Sequence, residues 1–317
     1  MKKILIIADP LEHFNLAGDS SYLLMLTARD LGFAVSYCGA ADVYSLNNQA
    51  LANIRELDIA HGVAQIHTTP QWFEYRATVS ALNLSSFAAI FVRSDPPFNL
   101  EYYYLTQILE LAERAGVKVV NHPRALRNFN EKLAILNFPN LITPTLVTKN
   151  KQVMHDFIAL HGTCVVKPID MMAGRGVFRI AETDPNHGTI LETLSGYFSQ
   201  TIMLQRFIPE VVLGDKRIFI INGEIVDYCL YRIPQSGQIR GNLAVGGRGE
   251  VHRLSAADYI LARQVAAWLD EQQIVVAGID VIGNYLTEIN ITSPTGAQQI
   301  LQHSGINVAQ LMLAAIG

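Results

Sequence analysis

The chain has 317 residues, half of them hydrophobic, a formal net charge of −4 and three cysteines. That length and apolar content support large cores and more than one domain. The mild acidity, without long runs of one sign, excludes a nucleic-acid or polyanion binder. Cys38, Cys164 and Cys229 lack the paired spacing of a zinc site or disulfide framework and read as buried, inert thiols.

The opening run Ile4-Leu5-Ile6-Ile7-Ala8 is broken by Asp9 and Pro10 and has no small-residue cleavage site, so it reads as a first buried strand rather than a signal segment. No apolar stretch approaches membrane-spanning length. A cytoplasmic protein without membrane or nucleic-acid partners is expected. Ser20–Leu31 reads as a helix stopped by Gly32. Phe33–Cys38 reads as a strand, as does Ala89–Arg93, which ends at Asp95-Pro96-Pro97. Helix Glu101–Ala115 and strand Val117–Val120 complete a βαβ rhythm, which implies an α/β unit with a parallel sheet covered by helices. Loops at the C-terminal ends of such strands hold ligands, and Asp9, Arg93 and Asn121 stand there. The first loop, Asp9-Pro10-Leu11-Glu12-His13, lacks the glycines of a dinucleotide fingerprint.

From Asn130 the pattern changes. Asn130 is a candidate N-cap for a short helix carrying Lys132. Thr145–Thr148, Cys164–Lys167 and Val177–Ile180 read as strands around helix Lys151–His161. Helix Thr189–Phe198 leads into strand Ile202–Arg206. Arg217–Ile221 and Ile225–Arg232 flank Asn222-Gly223, a hairpin turn. Ser236–Glu250, with five glycines plus Arg240 and Arg248, reads as a mobile lid. Helix Ala256–Gln272 precedes a strand pair, and Ile306–Ala315 closes the chain.

That strand pair, Val275–Ile282 and Leu286–Asn290, carries three oxygen-bearing side chains in apolar strands. Burying a carboxylate there costs several kcal/mol unless a cation meets it. Side chains alternate faces, so Glu288 and Asn290 point the same way. Asp280 joins them if a bulged, odd-length connection through Gly283-Asn284-Tyr285 places it opposite Glu288. Asp, Glu and Asn are hard oxygen donors suited to Mg²⁺ or Mn²⁺ shared with a phosphate. The alternative is a hairpin whose polar groups merely reach solvent.

Lys167 ends an apolar strand before a turn containing Gly174 and Gly176, whose backbone N–H groups can cradle phosphate oxygens. Lys132 and Lys167 with a divalent cation can neutralise a triphosphate. The segment Gln205-Arg206-Phe207-Ile208, ended by Pro209, offers a backbone edge for adenine. Arg217 shares a face with Phe219 and Ile221 and needs an anion, either a structural carboxylate or a reacting acyl phosphate. Arg232 stands at a strand end in the same way.

Taken together, Arg93-Ser94-Asp95-Pro96-Pro97, Asn130-Glu131-Lys132-Leu133, Lys167-Pro168, Gly214-Asp215-Lys216-Arg217, Arg232-Ile233-Pro234, Arg240-Gly241-Asn242-Leu243, Gly246-Gly247-Arg248-Gly249-Glu250 and Thr287–Thr295 resemble the bacterial glutathione synthetases of the ATP-grasp superfamily. The resemblance implies an ATP-grasp fold, α/β with α+β elements, behind an N-terminal parallel-sheet domain. The boundaries expected are 1–122 for that domain, 123–200 for a central lid-bearing domain and 201–317 for a C-terminal catalytic domain. It implies ATP-dependent joining of γ-glutamylcysteine and glycine through an acyl phosphate. The roles expected are Asp280, Glu288 and Asn290 on the metal; Lys132, Lys167, Gly174, Gly176, Gln205, Arg206, Phe207 and Ile208 on ATP; and Arg217 and Arg232 at the reacting acyl group. Arg93, Asn242, Gly246, Gly247 and Arg248 are expected on the substrates, and a homo-oligomer is implied. Where the family has Asp-Gly-Met-Gly-Gly, this chain has Asp170-Met171-Met172-Ala173-Gly174, so side chains at 171 and 173 stand where a close approach or positive φ would favour glycine. The segment Gly296-Ala297-Gln298-Gln299-Ile300 is less charged than its family counterpart, leaving the acceptor amino acid open. The rivals are a ligase with another acceptor and a nucleotide-binding regulator without turnover.

Overall fold

The computed structural model describes residues 2–60, 72–94, 98–172, 174–243 and 246–317. The expected Asp95-Pro96-Pro97 stop and Ala173 lie outside them. Among the described residues the strands form three sheets. The first takes β1 (Lys3–Ile7), α1 (Ser20–Asp30), β2 (Ala34–Cys38), β3 (Val43–Leu46), β4 (Gln49–Ile59), β5 (Phe73–Asn83), β6 (Ala89–Val92), α2 (Leu100–Arg114) and β7 (Lys118–Val120). Its centre is parallel, β2-β1-β6-β7, as the βαβ rhythm predicts. Asp19 caps α1, its carboxylate accepting from the Ser21 and Tyr22 N–H groups. The antiparallel β3-β4-β5 extension is not legible in the sequence. Most of β5 is exposed, so cross-strand pairing rather than an apolar face holds it.

After α3 (Pro123–Asn128), the second sheet has β8 (Thr145–Thr148), β9 (Cys164–Pro168), β10 (Phe178–Ile180) and β11 (Ile202–Arg206), with α4 (Lys151–His161) and α5 (His187–Leu194). Its order is β10-β9-β11-β8. Met154, Ile158, Cys164, Val166, Ile180, Leu191, Ile202 and Leu204 make a small core of their own. Strand β11, beyond residue 200, is therefore hydrogen-bonded on both sides into this sheet.

The third sheet is antiparallel, with order β14-β13-β12-β15-β16. It contains β12 (Asp215–Ile221), β13 (Glu224–Ile233), β14 (Arg248–Arg253), β15 (Val276–Ile282) and β16 (Tyr285–Asn290), with α6 (Ala256–Glu271), α7 (Ala297–Ser304) and α8 (Val308–Ala314). Asn222 and Gly223 both have positive φ, 52° and 79°, as a type I′ hairpin turn requires. The expected lid is shorter than Ser236–Glu250, because residues 248–250 already pair with β13.

Helices α7 and α8 return to the first sheet and pack on α1 in one apolar cluster. Gln298 ties α7 to the N-terminal loop, donating to the Leu16 and Asp19 carbonyls at 2.9 and 2.6 Å. Asn121 has a different role from the ligand contact expected of it. Its amide donates to the Val276 and Ile291 carbonyls and accepts from the Val275 and Val276 N–H groups. It pins the parallel sheet to the base of β15 and is 2% exposed.

Candidate active site

The β15–β16 hairpin does place Asp280 opposite Glu288, by a route other than the expected one. Ile282 pairs with Tyr285 across a two-residue turn, Gly283-Asn284, and Val281 pairs with Leu286. The ladder then slips at Thr287 and resumes with Asp280 against Glu288 and Gly278 against Asn290. One extra residue in β16 restores the face that a two-residue turn alone would lose.

Asp280 is 2% exposed and meets two guanidinium groups. Arg217 Nε and Nη2 donate to its two oxygens at 2.6 and 3.0 Å, and Arg232 Nη2 lies 2.8 Å from Oδ2. Burial would raise the carboxyl, but Arg217 and Arg232 outweigh it and hold Asp280 at about 2. Arg232 also donates to Asp215. Asp215 is buried enough to be pushed up to about 7, with Arg232 opposing the rise and Asp280 adding to it. Its second oxygen, Oδ1, is buried without a hydrogen-bond partner. Thus Arg217 answers a structural carboxylate, the first of the two anions anticipated for it.

Lys167, at the end of β9, reaches Glu288 Oε1 at 3.5 Å. Lys132 is held by its neighbour Glu131 and by the Met171 carbonyl. Burial would lower the Lys132 ammonium, but the charges of Glu288 and Glu131 raise it overall. Glu131 is raised by burial and then by Glu288, against the pull of Lys132. Asn130 accepts from the Lys132 and Leu133 N–H groups, so it caps this turn as expected. In the loop after β9, the positive φ angles among the described residues belong to Gly174 (73°) and Gly176 (70°). Met171 therefore needs no left-handed backbone.

A cleft is lined by Lys132, Lys167, Gly174, Gln205, Arg206, Phe207, Ile208, Asp280 and Glu288, with Met171, Met172, Arg175, Ile239 and Arg240. A second is lined by Arg217, Arg232, Asn242, Asn290 and Ser293-Pro294-Thr295. The two share a wall formed by Glu131, Met172, Asn242 and Glu288.

Models of two domain families match: the N-terminal domain of prokaryotic glutathione synthetase over residues 2–127, and its ATP-grasp domain over residues 131–305. The chain belongs to the prokaryotic glutathione synthetase family. A glutathione synthetase of Neisseria meningitidis serogroup A is 45% identical over 314 residues, covering 99% of this chain and 98% of that one. One of Nitrosomonas europaea is also 45% identical, covering 99% and 97%. Among solved structures, the D-cycloserine synthetase DcsG superposes with TM-score 0.65 at 14% identity, covering 99% of this chain and all of that one. The ATP-grasp ligase PsnB with a minimal precursor gives 0.64 at 17%, covering 100% and 98%. The fold is the ATP-grasp fold.

Against this prokaryotic glutathione synthetase framework, not every expected site residue reaches a cavity wall. Arg93, 5% exposed, bonds Ser21 Oγ at 3.0 Å and the Pro294 carbonyl at 3.2 Å, behind the second cavity. Gly176 lies under the loop, where a Cβ would fall 2.9 Å from Pro168 Cγ. Gly246 and Gly247 close the lid on itself through the Leu243 and Asn242 carbonyls. Arg248 is exposed on β14 and pairs with Glu250. Sequence reasoning missed Glu131 and Asp215 as groups on the walls. Both stand inside quoted motifs, but no spacing distinguishes a wall carboxylate from a surface one.

Among the described residues, no three His, Cys, Asp or Glu side chains form a ready-made metal cage. The donor set still fits a hard cation completed by phosphate oxygens. Among the described residues, Glu288 is held by its long contact to Lys167. The Asn290 amide nitrogen is spent on Gly278 and Asp280, which leaves its oxygen. No described helix is long and apolar enough to cross a membrane.

Proposed function

We propose that this chain is an ATP-dependent, ADP-forming carboxylate–amine ligase that joins γ-glutamylcysteine to glycine and so makes glutathione. The observation that carries the reading is the shared wall between a cavity bearing two lysines and one bearing two arginines. A phosphoryl donor in the first and a carboxylate in the second meet at Glu288.

A carboxylate is a poor electrophile, because an amine cannot displace oxide from it. Transfer of the γ-phosphoryl group to the cysteinyl carboxylate gives an acyl phosphate with a competent leaving group, which the amine then displaces. No protein nucleophile is needed. Lys132 and Lys167 hold the phosphates, and the turn at Gly174 brings backbone N–H groups to them, with Gly176 packed beneath it. Adenine lies along Gln205–Ile208. The N–H groups of Arg206 and Phe207 are spent on the Pro144 and Thr163 carbonyls, so Ile208 carries the backbone contact. Asp280, Glu288 and Asn290 would hold Mg²⁺ or Mn²⁺, which when bound neutralises phosphate charge. Arg217 and Arg232, oriented by Asp280, stabilise the acyl phosphate and the tetrahedral intermediate that follows it. Arg93 acts through Pro294, fixing the wall of the carboxylate cavity. Asn242 lies on both walls, and the lid that ends at Gly246 and Gly247 shields the acyl phosphate from water, with Arg248 anchoring its end in β14. Holding three substrates in line contributes roughly 7–11 kcal/mol of the barrier reduction.

The domain division that fits this reading keeps 1–122 as the substrate-binding unit. It moves the second boundary past β11, to about residue 206. We place the enzyme in the cytoplasm, as a homo-oligomer. The test is ADP release by purified protein with ATP, magnesium, γ-glutamylcysteine and a panel of amino acids, with mass spectrometry of the product. Glutathione formed with glycine is expected. ADP release with another acceptor only would change the assignment, and tight ATP binding without ADP would overturn it.

A further inference from the structure

The ligation needs an amine delivered beside the acyl phosphate, and free amino acids carry that amine as ammonium. Four carboxylates line the nucleotide and carboxylate cavities near their junction: Glu131, Asp215, Asp280 and Glu288. Asp280 is engaged by Arg217 and Arg232. Asp215 is paired with Arg232 and lines the nucleotide side only. Glu288 faces Lys167 and belongs to the proposed cation set. Glu131 differs from all three. It lines both cavities and also a third, much smaller one. Among the described residues, the third cavity is lined by Asn130, Asp170, Thr292 and apolar groups that include Phe98 and Phe129, without lysine or arginine. Its two carboxylates suit a small cationic group and disfavour a second anion. The Glu131 side chain is 15% exposed, and its partner is Lys132, through Oε1. Its own carbonyl accepts from the Ile289 N–H at 2.9 Å, which fixes the turn against β16.

We propose that Glu131 is the subsite that receives the acceptor amino acid as its ammonium and takes the proton that nitrogen must lose before its lone pair attacks the acyl carbon and phosphate leaves, and so sets preference for an acceptor that arrives as a cation. This rests on the ligase reading above and extends it to a residue outside the expected site set. A lysine drawn toward phosphate leaves Glu131 in need of another cation, and the acceptor supplies it at the junction where the acyl group is attacked.

The test compares glycine with hydroxylamine, a nucleophile that is neutral near neutral pH and traps acyl phosphates as hydroxamates. In Glu131→Gln, kcat/KM for glycine should fall roughly 10- to 100-fold relative to kcat/KM for hydroxylamine, the loss of one charge-assisted hydrogen bond. The KM for glycine should rise more than the KM for ATP. Glu131→Asp, which keeps the charge on a shorter arm, should recover part of the glycine preference, and it replaces the glutamine variant if that one fails to fold. An equal loss with both nucleophiles, an unchanged KM for glycine, or an effect confined to ATP would overturn the assignment. Wild-type protein that releases no ADP with either nucleophile would overturn the ligase reading itself.

Discussion

Arg217 and Asp280 are register partners in neighbouring strands, and the guanidinium closes on both carboxylate oxygens at 2.6 and 3.0 Å. The arginine of the second cavity is thus aimed by an aspartate on the wall of the first, and Arg232 joins the same carboxylate from β13. Breaking such a buried pair by removing one partner costs about 3–5 kcal/mol, because a buried charge is left uncompensated. Asp280→Asn should therefore lower the urea unfolding midpoint markedly and also abolish ADP release. A midpoint equal to wild type would show that the arginines do not depend on this carboxylate.

Asp215 and Asp280 give opposite pH dependences. Asp215 is raised from 3.8 to about 7. The folded chain keeps a proton that the unfolded chain has lost, so this contribution to stability declines as pH rises from 3.8 toward 7. Asp280 is lowered from 3.8 to about 2, so its contribution is present above 3.8 and disappears as pH falls toward 2. Asp215→Asn should flatten the decline in melting temperature across the first window and leave the acid loss in place. An unchanged slope between pH 4 and 7 would count against a protonated Asp215.

What was legible follows from where the information sits along the chain. The βαβ front and the Asn222-Gly223 hairpin are encoded by local periodicity and turn chemistry, and both are present. The facing of Asp280 and Glu288 was readable as a need for an odd residue, but not the position of that residue at Thr287. A bulge is decided by cross-strand pairing that no short window contains. Asn121 reads as a strand-end ligand, yet its partners, Val276 and Ile291, are over 150 residues away. Glu131 and Asp215 acquire meaning only once the second and third sheets close on each other. The β3-β4-β5 extension escaped because its outer strand has no buried face to imprint a pattern.

Glu288 should separate chemistry from stability. Its side chain is 23% exposed and its contact to Lys167 is 3.5 Å, too long and wet to contribute more than about 1 kcal/mol. Glu288→Gln should keep the wild-type unfolding midpoint, abolish ADP release and lose the extra thermal stabilisation that magnesium adds to ATP binding. Undiminished turnover would remove Glu288 from the cation set.

The lid offers a readout without mutation. Ile239, Arg240, Gly241 and Asn242 line the first cleft together with Met171, Met172 and Gly174, so a ligand bound there would gain contacts with both loops. Local opening sets the rate of proteolysis in such segments. Cleavage within residues 236–247 should be fast in the free protein and slow with ATP, magnesium and γ-glutamylcysteine, whereas residues 248–253, paired with β13, should resist in both states. Equal cutting with and without ligands would rule out closure.

Gly174 packs against the lid residues Arg240 and Asn242. Its φ is 73°, and a Cβ there would lie 2.6 Å from Asn242 Oδ1. Alanine is penalised twice: the left-handed backbone costs roughly 1–2 kcal/mol, and the new methyl group pushes Asn242 off the wall between the cavities. Gly174→Ala should raise the KM for ATP and for γ-glutamylcysteine together, since Asn242 faces both. Gly237 also has positive φ, 81°, but nothing lies within 4 Å of a Cβ built there. Gly237→Ala should then carry the backbone cost alone, with little change in either KM. Equal KM effects from the two alanines would show that backbone strain, and not the contact with Asn242, governs the site.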